Sequence, residues 1–348
     1  MTDKASGLER LQHLDHIAGS DDPIDHSGLR FQSAHQPPHD PDTFGVSLEG
    51  IRIALVAGGM TVSREPFGLV ARQGAVTVRI KVEQPEDRNG ENGTIRAVLT
   101  VRAELPQDLS ALFRQPGGCA SVNRFAVLGA LDVAEGKPCL GSRITLYEEE
   151  SAWNIQAPLI LAAALASPQI MLDAIRHLLL GDGAAGALEM SSAWGEAEFS
   201  MARQYLSRIA FCNADRTGLT AEFALREGEV AAVAGHRHTA LWRLLADQPH
   251  PEAGAGLFCC LEMPHCADDE EELARVLAKL NAMEMQALDR PPHFGAWCPG
   301  TYGTNPAYVS FLPNFLHDVR GIAVNLSFWA YGRAQWADAM LPTLGITA

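Results

Sequence analysis

Two short stretches of the chain, VNRFAVLGALD at residues 122–132 and LNAMEMQALD at residues 280–289, follow one pattern. Each has an asparagine after an apolar residue and ends in Ala-Leu-Asp. The asparagine precedes the aspartate by 9 residues in the first stretch and by 8 in the second, and these four residues are Asn123, Asp132, Asn281 and Asp289. A pattern that recurs within one chain indicates an internal repeat.

The order of predicted elements around the two stretches also repeats. Each copy has a helix, about four strands, a second helix, two strands and a closing helix. This order predicts an α+β fold, built as two tandem repeats of a twisted antiparallel sheet with helices packed on one face. We place the first module at residues 46–185 and the second at residues 190–348, sizes that suit single domains.

Strict alternation of apolar and polar residues marks the two best-defined strands. In residues 75–82, Val76, Val78 and Ile80 share one face, while arginine, lysine and threonine occupy the other. Residues 94–104 alternate in the same way, after the turn-rich run QPEDRNGENG at residues 84–93. Both strands are therefore predicted to bury one face and to expose the other.

The pattern around Asn123, Asp132 and residues 144–150, followed by an apolar helix, resembles the YbjN-type family. That family is similar in fold to the class I chaperones of type III secretion. Both halves of the chain fit the pattern, so the resemblance covers about residues 46–345. It implies an α+β module, two copies of which pair in the chaperone relatives and bind an extended segment of a partner protein. A tandem copy in one chain would be a covalent version of that pair, acting as a chaperone-like or regulatory protein of a bacterial type.

Composition excludes several classes of protein. The formal net charge of -15 argues against a nucleic-acid-binding protein, which needs a basic surface to neutralise phosphates. The longest apolar candidate, residues 157–166, is too short to span a membrane. Residues 1–45 lack the apolar centre of a secretory signal and predict a flexible, acidic tail rich in histidine and proline. We expect a cytoplasmic protein with reduced thiols.

A basic face on the first sheet is the main candidate for partner binding. Five cations fall on strand positions opposite, or plausibly opposite, the apolar stripe: Arg79, Lys81, Arg96, Arg102 and Arg143. On an acidic protein, such a face suits an acidic segment of another protein. The alternative is that these side chains are the ordinary solvated face of an antiparallel sheet.

The second half contains a strand, LFCCL at residues 257–261, that is apolar on both faces and must be covered on both. The cover is the other half, a second subunit or a partner protein. Cys259, Cys260, His265 and Cys266 lie close together in sequence, but adjacent strand residues point to opposite faces and no paired zinc-ligand spacing occurs. We therefore predict core cysteines and no metal or other cofactor.

No recognisable catalytic motif occurs in the chain. Sequences typical of a serine nucleophile elbow, a nucleotide-phosphate loop and a dinucleotide site are all missing. His236 and His238 form an H-x-H pair, but sequence alone names no carboxylate to complete a metal site. Asn123 and Asn281 are expected to bond nearby backbone rather than to do chemistry.

These observations predict a non-catalytic protein-binding protein that acts through sheet and helix surfaces, with self-association possible and no membrane or nucleic-acid partner. Two alternatives stay open. One is a metal-dependent enzyme that uses His236, His238 and a carboxylate brought near by folding. The other is a structural subunit of a larger assembly, with the doubly apolar strand in an interface.

Overall fold

The computed structural model describes most of the chain from Leu48 onward. The tail at residues 1–45 and His236 lie outside the described residues, so the expectations about them stay predictions. The described ranges are 48–57, 59–66, 68–73, 76–83, 89–90, 93–106, 113, 116–134, 137–148, 152–180, 194–225, 238–316 and 321–346.

The first module begins with helix α1 (Leu48–Ala57), followed by a meander of antiparallel strands. The strands are β1 (Thr61–Glu65), β2 (Gly68–Gln73), β3 (Val76–Glu83), the two-residue β4 (Asn89–Gly90) and β5 (Gly93–Glu104). Helix α2 (Pro116–Val122), strands β6 (Ala130–Ala134) and β7 (Lys137–Tyr147), and helix α3 (Ala152–Leu180) complete the module.

The second module repeats this order with its own helices and strands. It contains helix α4 (Glu196–Leu206), then β8 (Ala210–Asp215), β9 (Gly218–Ala224), β10 (Thr239–His250) and β11 (Gly254–Glu262). Helix α5 (Glu270–Gln286), strands β12 (Ala296–Pro299) and β13 (Pro306–Pro313), and helix α6 (Ile322–Met340) follow.

Both sheets have the same topology, which confirms an α+β fold made of two repeated sheet units. The first sheet runs β1-β2-β3-β5-β7-β6, with β4 paired only to β5, and the second runs β8-β9-β10-β11-β13-β12. All described pairings are antiparallel. In each sheet the last strand of the module, β7 or β13, lies between the meander and its own hairpin partner. That partner, β6 or β12, forms the edge of the sheet. The closing helix follows the inserted strand.

The predicted alternation on β3 is confirmed, since Val76, Val78 and Ile80 are buried while Arg79 and Lys81 are exposed. Helix α3 decides between two alternatives that the sequence leaves open. Residues 148–180 are predicted to form one helix, or two pieces broken near Ser167-Pro168, because proline has no N–H to donate to the carbonyl four residues earlier. The helix is nevertheless continuous, because the Ser167 hydroxyl donates to the Ala164 carbonyl (3.0 Å). This carbonyl would otherwise lack a hydrogen bond, since Pro168 has no N–H to donate to it.

The two repeat asparagines have equivalent structural roles. The Asn123 side chain accepts from the Leu131 N–H (2.7 Å) and donates to the Leu131 carbonyl (3.0 Å). Asn281 makes the same pair of bonds with Trp297, at 2.8 and 3.0 Å. The expectation that these side chains bond backbone is therefore confirmed, and each asparagine fixes an edge strand to the preceding helix.

The match of Asp289 to Asp132 is wrong. Asp132 lies in strand β6, whereas Asp289 lies in a turn before β12. The residue equivalent to Leu131 is Trp297, because both receive the asparagine bonds. The asparagine and its backbone partner are 8 residues apart in the first module and 16 in the second, so the second module carries an insertion here.

The modules pack against each other through their middle helices and edge strands. Helix α2 contacts α5 and β12, and α5 contacts β6 and β7. The doubly apolar strand at residues 257–261 is accordingly covered from within the chain. Leu257, Cys259 and Leu261 join the main core, while Cys260 packs in a second cluster that includes Ala126 of the first module. None of the described helices is long and apolar enough to cross a membrane.

Candidate functional site

The basic face predicted for the first sheet is present only in part. Arg79 and Lys81 project from β3 with side chains 55% and 59% exposed, and half-buried Arg102 lies directly opposite Arg79 on β5. Exposed Arg72 pairs in register with Thr77, on this same face. Sequence reasoning missed Arg72 because the predicted strand ended at residue 71, two residues before β2 ends.

Acidic neighbours reduce but do not cancel the charge of this face. An Arg79 guanidinium nitrogen lies 3.5 Å from a Glu104 carboxylate oxygen, and Lys81 pairs with Glu83. Like charges directly opposite each other on antiparallel strands are destabilising, as for Arg79 and Arg102 here. The face therefore keeps a positive excess that an anionic group would relieve.

Arg143 does not belong to an open face, and Arg96 lies where the strand pairing is irregular. Arg96 is half-buried at an irregularity in the β5–β7 register, between Ile95 and Ala97. Arg143 is fully buried, so its placement on an outer face is wrong. The physical reason is that the second module covers strand β7, and the Arg143 guanidinium binds that module instead of solvent.

Arg143 joins the two modules through backbone acceptors. Its guanidinium donates to the carbonyls of Glu284 (2.9 Å), Arg290 (3.0 Å) and Pro291 (2.7 Å). Its own N–H and C=O exchange bonds of 2.7 Å with His293. Burial lowers the pKa of Arg143 to about 10, although nearby Glu284 opposes this shift, so the side chain stays charged.

Glu284 is the carboxylate at the centre of this junction. Two of its contacts come from the Arg333 guanidinium, at 2.6 and 3.1 Å, and the Trp297 indole N–H donates at 3.2 Å. Burial alone would raise the pKa of Glu284, but the charge and hydrogen bonds of Arg333 outweigh burial and lower the pKa to about 2. The adjoining cavity, lined by Arg333 and Tyr308 among others, encloses about 10 Å³, which is room for one water at most.

An open groove lies at the outer edge of the second sheet. Strand β8 ends the sheet order, so one side of its backbone has no neighbouring strand among the described residues. Helix α4 forms the facing wall, and the groove encloses about 930 Å³. Its lining combines apolar and uncharged polar side chains with one cation, Arg203; the others include Ser200, Met201, Gln204, Ala210, Phe211 and Cys212.

Exposed apolar side chains concentrate on this first helix-and-strand unit of each module. Phe211 on β8 is 74% exposed. Ile53 and Val56 on α1, the helix equivalent to α4, are 56% and 48% exposed. Tyr302, at 83%, is the other large apolar side chain found exposed in the described ranges. Single exposed apolar side chains are ordinary on a protein surface, so Phe211 draws attention because it also lines the groove.

A buried cluster of His238, His265 and Asp338 lies at one end of the second sheet. Nε2 of His238 is 3.2 Å from Oδ1 of Asp338, and Nε2 of His265 is 3.4 Å from the same oxygen. The two imidazole rings are 4.9 Å apart between centroids. Burial, with help from His238, lowers the pKa of His265 to about 4, so this ring is neutral at physiological pH.

Cys259 and Cys260 are core residues, as predicted, whereas Cys266 is exposed, so its placement in the core is wrong. Cys259 and Cys260 are buried in different clusters, and burial raises the pKa of each thiol to about 12. His265, grouped with them by sequence, turns away toward His238 and Asp338. Of these three cluster residues, sequence reasoning singled out the two histidines separately and missed the aspartate, because 100 residues separate Asp338 from His238 and no spacing rule joins them.

Comparisons with known proteins identify no relative from which a function could be inferred. Only their own contacts describe the basic face of the first module, the groove beside β8 and the histidine–aspartate cluster. No family model, curated protein or solved structure matches the chain, and the resemblance to the YbjN-type family stays a prediction.

Proposed function

We propose that the chain is a non-catalytic, chaperone-like protein that captures an extended segment of another protein. The segment adds a strand to the free edge of β8 and packs its side chains against α4. The observation that carries this proposal is the open groove between helix α4 and the outer edge of β8, beside which no described strand lies. Strand addition is a common way to bind an extended peptide.

The chemistry of the groove suits such a segment. The backbone of β8 offers N–H and C=O groups to any strand beside it, which supplies affinity without a fixed sequence. Six residues of β8 in the extended conformation span about 20 Å. Phe211 and Met201 provide apolar contacts, and alternate side chains of the segment would point toward α4.

The first module supplies a second surface in this proposal. Its α1 helix exposes Ile53 and Val56 where α4 borders the groove in the second module. Its basic face, formed by Arg72, Arg79, Lys81 and Arg102, favours acidic residues in the partner. The predicted YbjN-type resemblance agrees with this arrangement, because the relatives pair two such modules around an extended partner segment.

Site-specific photo-crosslinking tests the proposal. A benzoylphenylalanine at Gln204, in the groove, is expected to crosslink one discrete extended segment of a native-cell protein, which mass spectrometry then identifies. A synthetic peptide of that segment should bind the unmodified full chain. Phe211→Ser with Met201→Ser should weaken peptide binding by at least tenfold, because burying a Phe side chain contributes about 1.5–3 kcal/mol.

Tyr302 provides the matched control. It is even more exposed than Phe211 but lies in the loop between β12 and β13, away from the groove. Tyr302→Ser should leave peptide affinity unchanged, and a crosslinker at Tyr302 should not label the same segment. Equal labelling from both positions, or equal affinity of both variants, would overturn the proposal.

A further inference from the structure

The ligand atoms of His238, His265 and Asp338 converge from three separate elements. His238 immediately precedes β10, His265 lies between β11 and α5, and Asp338 lies in the last turns of α6. One nitrogen or oxygen from each residue lies within 4.8 Å of the other two. We propose that these three side chains bind a divalent transition-metal ion of the zinc class.

The two distances to the Asp338 carboxylate match those of a tetrahedral site. Zinc lies about 2.0–2.2 Å from histidine nitrogens and carboxylate oxygens, so two ligands on a tetrahedron are about 3.4 Å apart. Nε2 of His238 and Nε2 of His265 are 3.2 and 3.4 Å from Oδ1 of Asp338. Because the three ligand atoms lie within 4.8 Å of one another, the two imidazoles would move closer together by up to about 1.4 Å to hold one ion.

His265 supplies the second, independent observation. Its side chain is fully buried, and neither ring nitrogen makes a hydrogen bond to any described residue. Its 3.4 Å approach to Asp338 lacks hydrogen-bond geometry, whereas His238 does bond that carboxylate at 3.2 Å. Buried polar atoms almost always have a partner, so an imidazole left without one points to an ion that accepts its lone pair.

The donor set also selects the class of metal. Calcium and magnesium prefer oxygen ligands alone, whereas two imidazoles with one carboxylate suit Zn²⁺ or Fe²⁺. Three protein ligands leave a fourth tetrahedral position for water. The His238 side chain is 9% exposed and the other two are at most 2% exposed, so exchange with solvent occurs on the His238 side.

Cobalt titration of the full chain tests the site, because Co²⁺ replaces zinc and has a visible spectrum that reports tetrahedral geometry. After removal of metals with a chelator, the wild-type chain should bind one Co²⁺ with tetrahedral absorption bands, and Zn²⁺ should displace it. His265→Ala and Asp338→Asn should each weaken this binding at least tenfold. Fe²⁺ added without oxygen in competition with Zn²⁺ distinguishes the two metals.

His250→Ala is the matched control, since His250 is also buried but bonds the Phe125 carbonyl at 3.1 Å. It should keep the cobalt spectrum. The histidines of residues 1–45 are present in every variant, so they cannot produce the difference. If both core variants unfold, His238→Ala decides, since its side chain is the most exposed of the three. Wild-type chain without the bands, or a folded variant that keeps them, overturns the proposal.

Discussion

Single buried amides set the register between helix and edge strand in both modules. Asn281→Ala removes two hydrogen bonds and leaves the N–H and C=O of Trp297 without their partner in a buried position. We expect the free energy of unfolding to fall by about 2 kcal/mol in urea denaturation, and Asn123→Ala to behave alike. Asn213→Ala, at an exposed position on β8, should change it by less than about 0.5 kcal/mol. Equal effects at Asn281 and Asn213 would show that the amide bonds contribute nothing.

At the scale of the strand, the basic face is tested by removing the two arginines that lie opposite each other. Arg79→Gln with Arg102→Gln should leave the thermal melt nearly unchanged, because the mutual repulsion and the Arg79–Glu104 pair are lost together. If the captured segment is acidic there, peptide affinity should fall by about 1 kcal/mol, or roughly fivefold, at low salt.

Salt provides the internal check on this prediction, since screening should bring wild-type and variant affinities together at high ionic strength. Arg64→Gln with Arg208→Gln carries the same change in net charge at exposed positions off this face and should bind like the wild type. If the variant Arg64→Gln with Arg208→Gln bound the peptide as weakly as the variant Arg79→Gln with Arg102→Gln, net charge alone would explain the loss of affinity.

Elements with strong periodicity were predictable from sequence, and weakly patterned ones were not. The alternation of Val76, Val78 and Ile80 fixed β3, because only a half-buried strand has period two. The sequence pattern does not predict strand β8. Its half-buried face consists of Ala210, Cys212 and Ala214, which are small residues with little hydrophobic contrast. The groove depends on β8 being the edge strand, so it could not be predicted either.

At the scale of the whole molecule, the two modules are alike in topology but differ where they meet. In the second module, Asn281 lies 16 residues before its backbone partner Trp297, which is eight residues more than separate Asn123 from Leu131 in the first. The carbonyls of Arg290 and Pro291 in this insertion accept bonds from Arg143. A sequence repeat reveals the shared topology, but the insertion that docks one copy on the other has no counterpart to compare. For this reason the sequence alone predicts that Arg143 is an exposed cation.

The junction makes the stability of the whole chain sensitive to acid. Burial, with the charges of Arg333 and Arg143, lowers the pKa of His293 from about 6.5 to about 3, while Glu284 opposes this. The folded chain therefore keeps His293 neutral at pH values where the unfolded chain protonates it. Stability from this group is complete above pH 6.5 and is lost as the pH falls toward 3, by up to about 1.4 kcal/mol per pH unit.

His293→Gln, measured by chemical denaturation between pH 7 and pH 5, tests this directly. Glutamine cannot be protonated in this range, so the loss of unfolding free energy with falling pH should be shallower than in the wild type, whatever the variant's stability at pH 7. Asn213→Gln, at an exposed position on β8, should keep the wild-type slope, because neither side chain titrates in this range. Because His293 pairs its backbone with Arg143 and its ring lies against Glu284 and Tyr308, the slope reports protonation at the contact between modules. If the His293→Gln and wild-type slopes are the same, the acid sensitivity does not arise at this junction.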